Sequence, residues 1–300
     1  ESAIRPHVAG TFGDMLVAVV THPVMLHYLD QSVSIGPNSK AATRRDNARG
    51  LNENLAREVM ELHTLGVGGP YTQADVRQLA ELFTGLGFTI EDGFRFRPNL
   101  AEPGAETVLG RNYGGDPARL EPVVQALRDL AVHPATATHI GRKLAVHFVA
   151  DEPDAGLVEQ VAAAYLASGG GLLASYEALL EHPAAWAVPL RNVKPPADFI
   201  ASAWRALAVD PGRVDAMGLA RIRRVLVQPL RTMGQTWQRP DGPNGWPEPD
   251  AAWITPQGLS ARLRWAMAAP QKLVQDLPDP LSFAEQSLGR RANGRVRFVA

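Results

Sequence analysis

Two carboxylates three residues apart, Glu58 and Glu61, sit in the stretch of the chain richest in reactive groups. Residues 52–66 read Asn-Glu-Asn-Leu-Ala-Arg-Glu-Val-Met-Glu-Leu-His-Thr-Leu-Gly. On a helix, residues three and four apart are neighbours, so Glu58 and Glu61 share a face with Arg57 and Asn54. Two acids held side by side repel, one pKa rises, and the pair suits catalysis by a general acid and a general base. The same oxygens, with the Asn54 amide, suit a hard divalent cation, and the sequence leaves the metal open. Against this stands a plain solvated ladder, Glu53 with Arg57 and Arg57 with Glu61, worth about 0.3 kcal/mol per pair. Leu55, Ala56, Val59, Met60, Leu62 and His63 span the opposite arc of about 160°, which makes the helix broadly buried. His63 lies across the helix from Asn54 and cannot join Glu58 and Glu61 in a metal site built from this helix alone.

Other residues offer weaker chemistry. His139, Lys143 and His147 are four apart and form one stripe on a helix that starts at Pro134. The two histidines are about 12 Å apart along the axis, too far to share a metal, whereas Lys143 suits an anionic substrate group. Between Gln235 and Trp253, four prolines stiffen a loop carrying Trp237, Trp246 and Trp253. Trp246 in such a loop suits stacking on a sugar ring, and the competing reading is that the indoles plug gaps in the core. Asp241, Asn244, Glu248 and Asp250 lack the spacing of a calcium loop. The pairs His22-Pro23, His133-Pro134 and His182-Pro183 each read as a helix start.

The elements that must position these groups are helical. The periodicity predicts two short helices over 11–30 broken at Pro23, a polar loop over 31–50, and a helix from an Asn52 cap to Gly66. Thr72 and Asp75 predict a capping box for a helix running to about Gly85. Further helices are predicted at 117–131, 134–149, 155–168, 172–181, 196–208, 216–233 and 256–268. Phe88–Ile90 and Phe94–Arg97, around Glu91-Asp92-Gly93, predict one small β-hairpin. The fold class is therefore mainly α, an irregular helical bundle with one small β-hairpin and long ordered loops. It reads as a single large domain over 1–300, with a sub-division at 1–115 and 116–300 as the alternative.

Composition narrows the function classes. Thirty Lys and Arg against 31 Asp and Glu give a net charge of -1, and 45% of the residues are hydrophobic. A near-neutral whole-chain balance favours neither nucleic acid nor an anionic membrane surface. The basic run Arg221, Arg223, Arg224 and Arg231 lacks interleaved aromatics, so no nucleic-acid partner is expected. No apolar run approaches the roughly 18 residues of a membrane span. The absence of cysteine removes thiolate chemistry and fits an oxidising compartment. No phosphate-binding loop, His-Glu-x-x-His, Gly-x-Ser-x-Gly or Gly-x-Gly-x-x-Gly signature is present.

The string Asn52–Gly66, with Thr72–Gly85 after it, resembles the signature of a large bacterial family known as a domain of unknown function and numbered eighteen hundred. Further blocks continue the resemblance: Pro103-Gly104 with Thr107–Gly110, His133–Ala137 leading to Lys143-Leu144, and Ala167–Gly170. Lys194–Pro196, Met233–Gln235, Gly245–Pro247 and Trp253 complete it. Where related sequences often have His before the acidic residue of the Pro-Gly block, this chain has Ala101 before Glu102, and it reads as trimmed at both ends. The resemblance implies a helical fold, export across the inner membrane to the periplasm or beyond, and often genetic association with an exported sulfatase-like partner; it implies no reaction. The expected function is a hydrolase of an extracellular or envelope polymer, acid/base or metal-assisted. Its catalytic residues are Glu58 and Glu61, with Asn54, Arg57, Lys143 and Trp246 binding substrate. The alternative is a non-catalytic binding or assembly protein that docks a glycan or the sulfatase-like partner.

Overall fold

The computed structural model describes residues 2–43, 50–187, 192–274, 276–289 and 292–294. Their packing separates into two units, residues 1–191 and 192–300, and the chain around Asp116 lies inside the first. The fold is mainly α.

In the first unit, helix α1 (Phe12–Val20) starts where the Thr11 hydroxyl accepts from the Asp14 N–H, and α2 (Pro23–Tyr28) follows. Of the predicted polar loop, residues 44–49 lie outside the described residues. The part before them is anchored to the core at its start, where Gln31 is fully buried and donates from Nε2 to the Phe83 carbonyl at 2.9 Å. Helix α3 (Asn54–Glu58) runs into a π turn (Val59–His63). Helix α4 (Gln73–Leu82) begins with the capping box that its spacing predicts: Thr72 N–H donates to Asp75 Oδ2 at 2.8 Å, and Asp75 N–H to Thr72 Oγ1 at 3.3 Å.

Two antiparallel hairpins follow, where the sequence predicts one. The first pairs β1 (Leu86–Thr89) with β2 (Gly93–Phe96), and the second pairs β3 (Gly104–Val108) with β4 (Arg111–Gly115). The second turns on Leu109 (φ 50°) and Gly110 (φ 76°), and the Asp75 carboxylate holds the left-handed Leu109 by accepting its N–H at 2.8 Å. Helices α5 (Glu121–Ala131), α6 (Pro134–Phe148), α7 (Ala155–Ala167) and α8 (Leu172–Glu181) complete the unit. Its largest core gathers Leu55, Val59 and Met60 of the α3 segment with Leu79 from α4, Phe83 just after it and Leu127 from α5.

All three His-Pro pairs are helix or 3₁₀ starts in which the imidazole is the cap. Nδ1 of His22, His133 and His182 accepts the N–H two residues on at 3.2, 3.1 and 3.2 Å. Each proline then occupies the first turn, where its missing N–H is not needed.

The second unit comprises α9 (Pro196–Ala206), α10 (Pro211–Asp215), α11 (Leu219–Ile222), a π turn (Arg223–Val227), α12 (Gln228–Thr232), α13 (Pro256–Leu273) and α14 (Pro280–Leu288). The predicted helix over 216–233 is thus widened in its middle. Pro229 has no N–H to give the Val225 carbonyl, and its ring crowds that turn. Helix α13 continues past residue 268, tolerating Pro270 near its end. Ile200, Leu230, Met233 and Ala261 form one core cluster and Val225, Ala269 and Leu273 another, with Trp204 and Trp265 packed against both. Among the described residues, no helix is long and apolar enough to cross a membrane.

Candidate acid/base site

The site grows from the start and the end of the α3 segment. Asn52 fixes the start: its Oδ1 accepts the Asn54 N–H at 2.9 Å, and its Nδ2 donates to the Leu29 carbonyl at 2.9 Å. The predicted capping amide is present, but the residue at the cap position is Glu53, so the helix begins two residues later than Asn52. At the far end, the Thr64 hydroxyl donates to the Val59 carbonyl at 2.7 Å, a side-chain bond that competes with the backbone ladder where the π turn opens. Gly66, at φ 87°, then closes the segment by donating its N–H to the Met60 carbonyl at 3.2 Å.

This arrangement buries Leu55, Ala56, Val59 and Met60 completely and leaves a charged row on the other side. Arg57 reaches Glu53 Oε2 at 3.0 Å and Glu61 Oε1 at 3.3 Å, so the ladder of the plain reading is formed. It is not loose. Gln73 of α4 accepts from Arg57 at 3.0 Å and donates to Glu53 at 2.8 Å, which ties the row to a second helix. The side chains of Arg57, Glu53 and Glu61 remain 38%, 31% and 27% exposed, open enough for a solute to reach.

Glu58 is placed differently from its neighbours in this row. Its Oε2 is buried and has no hydrogen-bond partner. Burial pushes its pKa up, the adjacent Glu61 charge pushes it further, and Arg57 only partly offsets both. Glu61 is held instead by the Arg57 guanidinium, and the Tyr71 phenol is its neighbour. Burial and the Glu61 charge in turn hold the Tyr71 phenol above its usual range. Two neighbouring carboxyls therefore sit in different environments, one favouring its proton and the other held in an ion pair.

The remaining sequence-predicted residues are spread out. Asn54 is exposed in the first turn of α3, and its side chain bonds none of the described residues. Lys143 is exposed on α6. One turn before it, His139 approaches the end of the α3 segment, with Nε2 3.1 Å from the Leu62 carbonyl. A Cβ at position 66 would stand 2.9 Å from His139 Nδ1, so this close approach and the positive φ both require glycine. His63 is beside His139; burial first and that neighbour second lower its pKa, and its buried Nδ1 has no partner. Trp246 belongs to the second unit, half-buried and edge-on to the buried Trp253 at 6.5 Å, while Trp237 is 49% exposed. Among the described residues, no three His, Cys, Asp or Glu side chains converge as metal ligands would. Tyr71 and Gln73 are the partners that sequence reasoning does not supply; Tyr71 follows Gly68-Gly69-Pro70, where no periodicity signals an inward side chain.

The family described as "Protein of unknown function (DUF1800)" matches residues 1–296. The chain belongs to this family. No curated protein and no solved structure matches it. In this DUF1800 protein, the two strings on which the resemblance chiefly rests, Asn52–Gly66 and Thr72–Gly85, pack against each other as α3, its π turn and α4. Gln73, at the start of the second string, completes the charged row of the first.

Proposed function

We propose that this DUF1800 protein is an exported acid/base hydrolase, periplasmic or secreted, that cleaves an extracellular or envelope polymer. Glu58 is the general acid and gives its proton to the leaving oxygen; Glu61 is the base that takes a proton from the attacking water. Arg57 and Tyr71 orient Glu61, and Asn54 and Lys143 contact the polymer. The observation that carries this reading is the buried, unpartnered Glu58 Oε2 next to an ion-paired Glu61. In the metal-assisted form of the same proposal, Glu58 and Glu61 would hold a divalent cation, which would supply Lewis-acid activation of the attacking water. The choice of polymer and compartment follows from the family resemblance and the lack of cysteine.

The test is product release from a panel of glycans and peptidoglycan, with and without added magnesium or calcium. Glu58→Gln and Glu61→Gln should each abolish release while the melting temperature stays within a few degrees. Absence of release by the unaltered protein, or collapse of both variants, contradicts the proposal. The exposed Trp237 and the half-buried Trp246 favour a second reading, a non-catalytic protein that docks a glycan or a sulfatase-like partner. That reading predicts a shift of indole fluorescence on adding glycan, and a silent spectrum across the panel counts against the glycan form.

A further inference from the structure

The whole-chain charge of -1 conceals a division. Residues 192–300 carry fifteen Arg and Lys against nine Asp and Glu, a formal +6, so residues 1–191 carry -7. Within the basic unit, a cleft of about 270 Å³ opens between the π turn with α12 on one side and α13 on the other. Its wall is apolar, with Val225, Trp265 and Leu273, and its lining includes Arg224, Arg264 and Lys272 but no Asp or Glu. All three cations are exposed, and among the described residues none is in an ion pair.

The walls are held in place. Trp265 stands edge-on to Phe199 at 5.5 Å, and the Arg262 guanidinium lies 5.1 Å from the centre of the Phe199 ring. Arg262 is itself buried and donates to the Lys194 carbonyl at 2.8 Å. The Arg221 guanidinium donates to the Lys272 carbonyl at 3.4 Å, tying the two helical stretches together. An indole wall that needs no rearrangement loses little entropy when it is covered. Guanidinium groups without carboxylate partners are poised for an external oxyanion, which they bind through paired N–H donors.

We infer that this cleft binds a small anionic ligand, one carboxylate, sulfate or phosphate group on a flat apolar body that lies against Trp265. The volume lies just below the ~300–1,000 Å³ of small-molecule sites, which limits the body to about two or three aromatic rings or an alkyl chain of similar bulk. The site is separate from the Glu58 proposal and does not depend on it.

The test compares two probes with the same rings on the whole chain: 8-anilinonaphthalene-1-sulfonate and the uncharged N-phenyl-1-naphthylamine. The sulfonate should bind saturably, one per chain, and at least about tenfold more tightly than the neutral amine, with an affinity that falls as salt rises. The double variant Arg224→Gln with Arg264→Gln changes only exposed side chains. It should weaken the sulfonate about tenfold and leave the amine unchanged. Competition by 2-naphthoate, 2-naphthyl sulfate and 2-naphthyl phosphate identifies the preferred head group, and neutral 2-naphthol should not compete. Equal affinity for the two probes, displacement by none of the three anions, or an unaltered sulfonate affinity in the folded double variant overturns the inference.

Discussion

Replacing Glu106 by Gln should stabilise the protein in mildly basic solution and leave it unchanged in acid. Glu106 is in β3 and only 4% exposed. Burial raises its pKa from the ordinary 4.5 to about 7, and the carboxylates of Glu102 and Glu81 add to the rise. Its Oε2 packs so closely over Gly114 that a Cβ there would stand 2.5 Å away. A carboxyl whose folded pKa exceeds its unfolded one binds its proton more tightly in the native state. Stability is therefore full below about 4.5, falls as pH rises from about 4.5 to about 7, and stays reduced above. At 1.36 kcal/mol per pKa unit, the full loss is about 3 kcal/mol. Gln keeps the shape and removes the charge, so it should recover most of that loss at about pH 8 and change stability little at about pH 4. Urea unfolding of the two proteins at both pH values measures this. A Glu106→Gln variant that is less stable than the parent at about pH 8, or equally shifted at both pH values, refutes the reasoning.

Three further outcomes follow from the geometry. Gly66→Ala combines a φ of 87° with a contact 2.9 Å from His139 Nδ1, and should lower stability by about 1–3 kcal/mol. His139→Ala in the same chain should recover part of that loss in a thermal melt, and no recovery would show that the contact is unimportant. His133→Ala removes the α6 cap and should cost about 1 kcal/mol in urea unfolding, whereas His133→Asn, which retains a capping acceptor, should cost less. Arg57→Met removes the one charge that lowers the Glu58 pKa, so Glu58 should titrate higher still in a carboxyl NMR titration.

Much of the helical framework can be read from the chain because its start signals are local. Thr72 with Asp75 and the three His-Pro pairs act within two or three residues, and each forms the cap that its chemistry allows. The hairpin of β3 and β4 is not legible in the same way. Its turn begins at Leu109, a residue that rarely adopts positive φ, and the Asp75 carboxylate that supports it is 34 residues away. The π turn after Glu58 is also hidden from a reading at 100° per residue, since it depends on the Thr64 hydroxyl taking the Val59 carbonyl. At the site, spacing alone yields the Glu53–Arg57–Glu61 ladder. The burial of Glu58 Oε2 and the contacts of Tyr71 and Gln73 come from tertiary packing, which no spacing encodes. Packing likewise leaves Asn54 in solvent, where a helical wheel groups it with the acids.

The most direct measurement of the proposed division of roles is a titration of the Glu58 side-chain carboxyl by ¹³C NMR, in the parent protein and in Glu61→Gln. The account predicts that Glu58 titrates above the ordinary carboxylate range and moves back toward it once the Glu61 charge is removed. A Glu58 carboxyl that titrates in the ordinary range, and does not move in Glu61→Gln, contradicts the assignment of the pair as acid and base.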